Sequence, residues 1–320
     1  MPIMNPADLR QRIVRNMVES RCLDEQLILL QRHGLSPFWT GGPGEEAFNS
    51  SLGALLRVGR GPEFDFLLPH YRSSAIALMA GEKSIDFIRQ MLGRQSDPYS
   101  YGRNFANHFC SVERNLGPVS SPVNSQFVFG LGTARAQLNS SGITVVVAGD
   151  ASTHQGDFAS LLLWSTRPNN PLPILIVITN NRVGISTPYE TQHARPHIVD
   201  RAQAFGIETA MVDGLSVDAC DTALKHAFNY VRTERRPYFL EASVTRLYGH
   251  SSASGAQRDP NTEDPLDRES YPSHWRMEIQ ERLRQEVEQV KQEPPVDGMS
   301  AESYVWGSSH QWPRSLKQSD

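Results

Sequence analysis

Two short polar turns, about 30 residues apart, carry the strongest chemical signal in this sequence. Gly149-Asp150-Ala151-Ser152 follows a continuous apolar, β-branched run, Ile143 to Ala148, and Asn180-Asn181 follows a second run, Ile174 to Ile178. Such runs are typical of strands buried on both faces. In an open parallel sheet, ligands sit outside the carboxyl ends of the strands. Asp150 and Asn181 would then face one another across a crevice. One carboxylate and one amide oxygen suit a hard cation such as Mg²⁺, which takes oxygen ligands and keeps room for a substrate phosphate. A helix start after Ala151 would offer amide N–H groups to that phosphate. Taken singly, both pieces have ordinary readings, since Gly-Asp turns after strands are common and Asn-Asn is a generic turn signal. The spacing of one β-α-β crossover is what joins them.

His250 is a third candidate, just past a further strand, Phe239 to Val244. A lone histidine after a strand is more often a satisfied or surface residue than a catalyst. An imidazole with a pKa near neutrality is nevertheless suited to proton transfer. His70 and His108 are weaker candidates, and His108 reads equally as a packed loop residue.

These positions need a scaffold. Four strand-like runs, the three above and Glu208 to Val212, alternate with helical stretches at 155–166 and about Ser216 to Thr233. That alternation predicts an α/β fold, a parallel sheet with helices on both faces. Ahead of it, 7–33 reads as an amphipathic helix with Leu9, Ile13, Met17, Leu23, Leu27 and Leu30 on its apolar stripe. A Gly/Pro-rich loop, Trp39 to Gly44, leads to helical stretches at Ala47 to Leu56 and 74–93. The polar, irregular stretch 94–122 is long enough to be functional. Apolar helices near 47–56 and 125–138 are either plain core or subunit contacts. Beyond 255 the character changes: 256–274 reads as an exposed loop, 275–292 as a charged helix, and the tail from Glu293, with Trp306, has no clear period.

The 320 residues suggest about two domains. We assign 1–255 to a diphosphate-binding α/β domain and 256–320 to a loop, helix and tail packing on it or on a partner. A net charge of -4 argues against general nucleic-acid binding, and no apolar run is long enough to span a membrane. Cys22, Cys110 and Cys220 lie far apart, which fits neither a disulfide framework nor a zinc site and points to a reducing compartment, the cytoplasm. Gly130-Leu131-Gly132 lacks the third glycine of a dinucleotide loop, because Arg135 stands there.

The acidic Gly-Asp turn followed by Asn-Asn resembles the thiamine-diphosphate motif. Gly44-Glu45-Glu46, Tyr71-Arg72, His108, Glu113-Arg114, Ser120-Ser121-Pro122, Gln126, Gly184-Ile185-Ser186-Thr187-Pro188, Val212-Asp213-Gly214 and Gly249-His250-Ser251 occur in family order. Over residues 20–255 the chain is similar to alpha subunits of 2-oxoacid dehydrogenases, and closer to the branched-chain type than to the pyruvate type. It departs at Ala151, where Gly is frequent, and near Arg167 to Pro171, a short insertion. Thr179 replaces an Arg, and Ser252-Ala253-Ser254-Gly255 replaces a Ser-x-Ser-Asp loop.

The resemblance implies thiamine diphosphate and Mg²⁺ as cofactors. Asp150, Asn181 and the Val183 carbonyl would hold the metal, and Tyr71 and Arg72 would grip the diphosphate. Gly149, Ala151 and Ser152 would give backbone contacts. Ser121, Val123 and Ile185 would lie against the cofactor, and His250 would be the catalytic histidine beside it. Ser120, Pro122, Ser125 and Gln126 match a K⁺-binding loop, with Ser125 standing where Thr is usual. Thr40 stands where the pyruvate type tends to have His, which favours a branched 2-oxoacid substrate. The implied activity is oxidative decarboxylation with reductive acylation of a lipoyl group. The implied partners are a beta subunit in a heterotetramer, supplying the pyrimidine-activating glutamate, and a lipoylated acyltransferase core. Rival readings are a pyruvate or acetoin dehydrogenase alpha subunit, a transketolase-like enzyme, or a non-catalytic paralogue kept for interaction.

Overall fold

The protein is described by a computed structural model covering residues 5–298; Trp306 and the rest of the tail lie outside the described residues. The helices are α1 (Pro6–Arg32), α2 (Glu46–Leu55), α3 (Ser74–Met79), α4 (Ser84–Met91), α5 (Ser125–Ala136), α6 (Gly156–Ser165), α7 (Tyr189–Gln192), α8 (Val199–Ala204), α9 (Val217–Glu234) and α10 (Ser273–Lys291). The strands are β1 (Phe66–Leu68), β2 (Thr144–Gly149), β3 (Ile174–Asn180), β4 (Val183–Gly184), β5 (Thr187–Pro188), β6 (Glu208–Asp213) and β7 (Tyr238–Ser243).

Five strands form one sheet in the order β1-β2-β3-β7-β6, every pairing parallel. The α/β expectation is met, with helices on both faces. Side chains alternate across a strand, and the two cores divide accordingly. Val145, Val147, Leu175 and Val177 pack with residues of α1, α2, α9 and α10. Val146, Ala148, Ile174, Ile176 and Ile178 pack with residues of α5, α6 and α8. Each such aliphatic side chain gains about 1.5–3 kcal/mol from full burial, so these central strands fix the register. Gly149 pairs with Thr179, and Asn180 with Ser243. Three strands therefore end level, and the turns carrying Asp150 and Asn181 emerge side by side.

Among the expected elements, 74–93 is two helices rather than one. Gly81, at φ +103°, lets the chain turn between α3 and α4; the apolar period runs on either side of the break and so conceals it. The edge strand β1 went unread because three residues are too few to show alternation. α2 is a core helix, with Ala47, Phe48 and Leu52 buried.

The stretch 256–274 is not simply an exposed loop. Arg21 on α1 is buried and donates to Glu46 (2.6 Å) and to both oxygens of Asp264 (2.7 and 3.0 Å). A buried guanidinium needs that compensation, so Asp264 is drawn in and Leu266 follows it. α10 then lays Trp275, Ile279, Leu283 and Val287 into the core shared with α1, a stripe hidden among its charges. Among the described residues, no helix is long and apolar enough to cross a membrane.

Candidate active site

A cavity of about 420 Å³ opens at the carboxyl ends of the strands. Four parts of the chain build its walls. The turn after β1 gives His70, Tyr71 and Arg72, and the turn after β2 gives Gly149, Asp150, Ala151 and Ser152. The segment after β3 gives Asn181, Val183, Gly184 and Ile185, and the segment after β7 gives His250. The long loop ahead of α5 closes the side with Phe105, His108, Ser120, Ser121 and Val123, so part of the polar stretch 94–122 lines the cavity. Fourteen sequence positions named above as cofactor or metal contacts share this one cavity; Pro122 and Ser125 stand outside its lining. They belong to the same loop: Ser120 Oγ donates to Ser125 Oγ at 3.1 Å, and the Ser125 amide donates to the Pro122 carbonyl at 3.3 Å. Gln126 lines the cavity and bonds the Val147 carbonyl at 3.5 Å.

Asp150 begins a 3-10 turn, Asp150–His154, and α6 starts only at Gly156. The amides nearest the cavity thus belong to the turn, not to the helix start expected after Ala151. The Asp150 Oδ2 atom is buried with no hydrogen-bond partner. Burial pushes this carboxyl up to about 6, against the opposing pull of the Ala151 amide and of Arg72 and Arg246. Asn180 and Asn181 divide their work. Asn180 turns to the sheet and donates to Glu241 at 2.7 Å, while Asn181 lines the cavity and its Oδ1 accepts from the Val183 amide at 3.2 Å. Among the described residues, no three His, Cys, Asp or Glu side chains converge. A cation here would have to draw on Asp150, on an amide such as that of Asn181, and on main-chain carbonyls.

Arg72 is buried and aimed by its neighbours. Its Nη1 donates to the Gly41 carbonyl, its Nη2 to the His250 carbonyl at 3.3 Å, and its guanidinium sits 5.0 Å from the centre of the Tyr71 ring. Tyr71 Oη lies 3.1 Å from His250 Nε2. Burial, reinforced by the charges of Arg72 and Arg246, holds His250 down to about 4. The near-neutral imidazole expected from the sequence is therefore not found in the cofactor-free chain, because burial and two guanidinium charges oppose its protonation. His70, buried beside Arg72, is held to about 3. His108 is both candidate and packed residue: Nε2 lies 3.0 Å from Ser121 Oγ, and Nδ1 lies 3.1 Å from the Ala106 carbonyl.

Sequence reading missed Glu45, Phe38, Phe105 and Gln192 as wall residues. Glu45 is 1% exposed, and neither carboxylate oxygen has a hydrogen-bond partner. His70 Nε2 and Arg72 Nε both stand 3.9 Å away, and of the two only Arg72 is charged at neutral pH. Burial pushes it up to about 7, against the pull of Arg72. Its place in Gly44-Glu45-Glu46 was visible; which of the two glutamates faces the cavity was not, and Glu46 goes to Arg21.

A family profile described as Dehydrogenase E1 component matches residues 14–293. The 2-oxoisovalerate dehydrogenase subunit alpha of Bacillus subtilis (strain 168) is 31% identical over 284 residues, 88% of this chain and 78% of that protein. The mitochondrial 2-oxoisovalerate dehydrogenase subunit alpha 1 of Arabidopsis thaliana is 30% identical over 252 residues, 78% of this chain and 52% of that protein. The 3-methyl-2-oxobutanoate dehydrogenase subunit alpha of Mycobacterium tuberculosis (strain ATCC 25618 / H37Rv) is 27% identical over 304 residues, covering 90% and 78%. The chain thus spans most of its bacterial relatives and about half of the plant one. With the profile covering nearly the whole described chain, and a relative above 30% identity matched over most of its own length, the chain belongs to the dehydrogenase E1 component family.

Proposed function

We propose that this chain is the alpha subunit of a branched-chain 2-oxoacid dehydrogenase. Together with a beta subunit, in a heterotetramer, it decarboxylates a branched 2-oxoacid and passes the acyl group to a lipoylated acyltransferase core. The reading places the enzyme in the cytoplasm, consistent with the free thiols of Cys22, Cys110 and Cys220. The observation that carries it is Asp150 Oδ2, a buried, unpartnered carboxylate oxygen at the end of β2, in a cavity that also holds Arg72 and Asn181. A bare carboxylate and an aimed guanidinium at one strand end fit a metal–diphosphate pair, since each supplies what the other component lacks.

Thiamine diphosphate supplies the electron sink that decarboxylation of a 2-oxoacid requires. The chain's residues have four tasks. Asp150, the Asn181 side chain and the Val183 carbonyl would hold Mg²⁺, while Tyr71 and Arg72 would hold the diphosphate, for which the fork of Arg is suited. Gly149, Ala151, Ser152 and Ile185 would line its path, and the Ser121–Val123 wall would press the cofactor from the side. Ser120, Pro122, Ser125 and Gln126 would hold the loop, with K⁺ as its ion. His250 Nε2, paired with Tyr71 Oη, would take or give a proton at the reacting end, and an anionic diphosphate next to Arg72 would raise its basicity from the bare-chain value.

Asp150→Ala in the enzyme assembled with its beta subunit tests the reading. Loss of an outer-shell partner costs about 10–100-fold in metal affinity; loss of this ligand itself should weaken metal-dependent thiamine-diphosphate binding by at least that much in calorimetry. Unchanged, still metal-dependent affinity would overturn the assignment.

A further inference from the structure

Arg246 stands apart from every other arginine in the fold. Among the described residues, each other buried or half-buried arginine donates a hydrogen bond or makes an ion pair. Arg21 has Glu46 and Asp264, Arg89 has Asp86 and Glu293, Arg232 has Asp65, and Arg276 has Glu25. Arg246 is half-buried and has no such partner, and its Nη1 is enclosed and unbonded. Arg246 lies in the segment after β7, four residues before His250, behind the cavity lining, and the charges of Arg72 and Asp150 on the cavity wall act on it. An enclosed donor without an acceptor is costly, and two neighbouring guanidiniums repel. The arrangement is favourable once an anion lies between them.

We propose that Arg246 is a second arginine for the cofactor's diphosphate, completing with Arg72 a two-arginine grip on it. This rests on the thiamine-diphosphate reading above. A diphosphate ester brings more negative charge than Mg²⁺, partly spent on Asp150, and one arginine can offset. Thr179, at the end of β3, supplies no charge, and no lysine lines the cavity. Among the described residues, Arg246 is a cation coupled to the site that has an enclosed donor to spare, and arginine forks suit phosphate oxygens.

The test titrates thiamine diphosphate, and separately inorganic pyrophosphate, into the assembled enzyme at saturating Mg²⁺, for wild type, Arg246→Ala and Arg246→Lys. A hydrogen bond to a charged group corresponds to about 10–100-fold in affinity. Arg246→Ala should weaken both ligands within that range, and Arg246→Lys should recover much of the loss. Unchanged affinity of Arg246→Ala for pyrophosphate would overturn the proposal. So would a lysine variant as impaired as the alanine variant, because the charge would then be irrelevant. If the wild type binds pyrophosphate but no thiamine diphosphate, the cofactor reading fails instead, and the pyrophosphate series still decides the role of Arg246.

Discussion

Tyr71 Oη and His250 Nε2 lie 3.1 Å apart, a bond that ties the turn after β1 to the segment after β7 across the cavity. It fixes the ring of His250 against Tyr71, and both residues line the cavity. Burial and the charges of the two arginines hold this imidazole to about 4 in the cofactor-free chain, so it is neutral there at pH 7. His250→Ala should lower turnover by about 10²–10⁴-fold, the usual range for a general acid–base group, while cofactor affinity changes far less. Steady-state kinetics beside calorimetry separate the two. Near wild-type turnover would reduce His250 to a partner of Tyr71.

Glu45 predicts a pH dependence of stability. Its folded pKa, about 7, lies above the value of about 4.3 for an unperturbed glutamate. The native state therefore keeps a proton that the unfolded chain releases. The stability this contributes is complete below the unperturbed pKa and is lost as pH rises through 7. Glu45→Gln has no such titration. In cofactor-free enzyme, the difference in Tm between Glu45→Gln and wild type should grow in favour of the variant from pH 5 to pH 8. A difference that stays constant over that range would mean Glu45 is already ionised at the acid end.

How far the sequence reached depends on the kind of signal. β2, β3 and β7 were legible because a buried parallel strand is apolar along most of its length, and the run Ile143–Ala148 has no other economical reading; β6, a largely exposed edge strand, was legible from its place in the strand–helix alternation. Asp150 and Asn181 were legible because strand ends in such a sheet are sites by topology. Glu45 and Arg246 were not, for a physical reason. Their meaning lies in the absence of a partner, and only the packed fold shows which charge is left over. The turn at Gly81 and the burial of Asp264 were hidden likewise, since Arg21, 243 residues away, decides the second.

Substrate preference follows from the pocket wall. Thr40 lines the cavity and its Oγ1 is spent on the His250 carbonyl at 3.3 Å. Phe38 and Phe105 line it too, their rings 5.2 Å apart. His108, its ring 6.1 Å from that of Phe105, is the ionisable group on that wall, and burial disfavours its charged form. We expect kcat/KM for 2-oxoisovalerate to exceed that for pyruvate, and only modestly, because one or two methylenes in an apolar pocket discriminate by about 10–200-fold. A higher value for pyruvate would contradict the assignment of the wall.

Assembly is predicted by apolar surface that the fold leaves uncovered. α5 turns Phe127 and Ala134 inward, yet Val128 and Phe129 face outward, the latter 52% exposed. α6, joined to α5 through the Phe127–Phe158 ring contact at 5.5 Å, turns out Leu163 and Trp164, the latter 50% exposed. Ile185, at the cavity mouth, is 61% exposed. Single exposed apolar residues are normal, but two packed helices that each turn out large apolar side chains suit an interaction surface. Of the two helices for which the sequence left core and subunit contact open, α2 is core, and α5 serves both readings, with one side in the core and the other free for a subunit. Obligate interfaces bury more than about 2,000 Å² and are core-like, so one aspartate at the centre of such a face should suffice to weaken it. Phe129→Asp and Trp164→Asp should each leave the chain folded by circular dichroism but shift it from a complex with the beta subunit toward the lone chain in size-exclusion chromatography. Decarboxylation should fall with the fraction assembled, and the wild-type chain purified alone should show none. Robust activity from that isolated chain would sink the idea, because every group that activates the cofactor would then have to lie within these 320 residues.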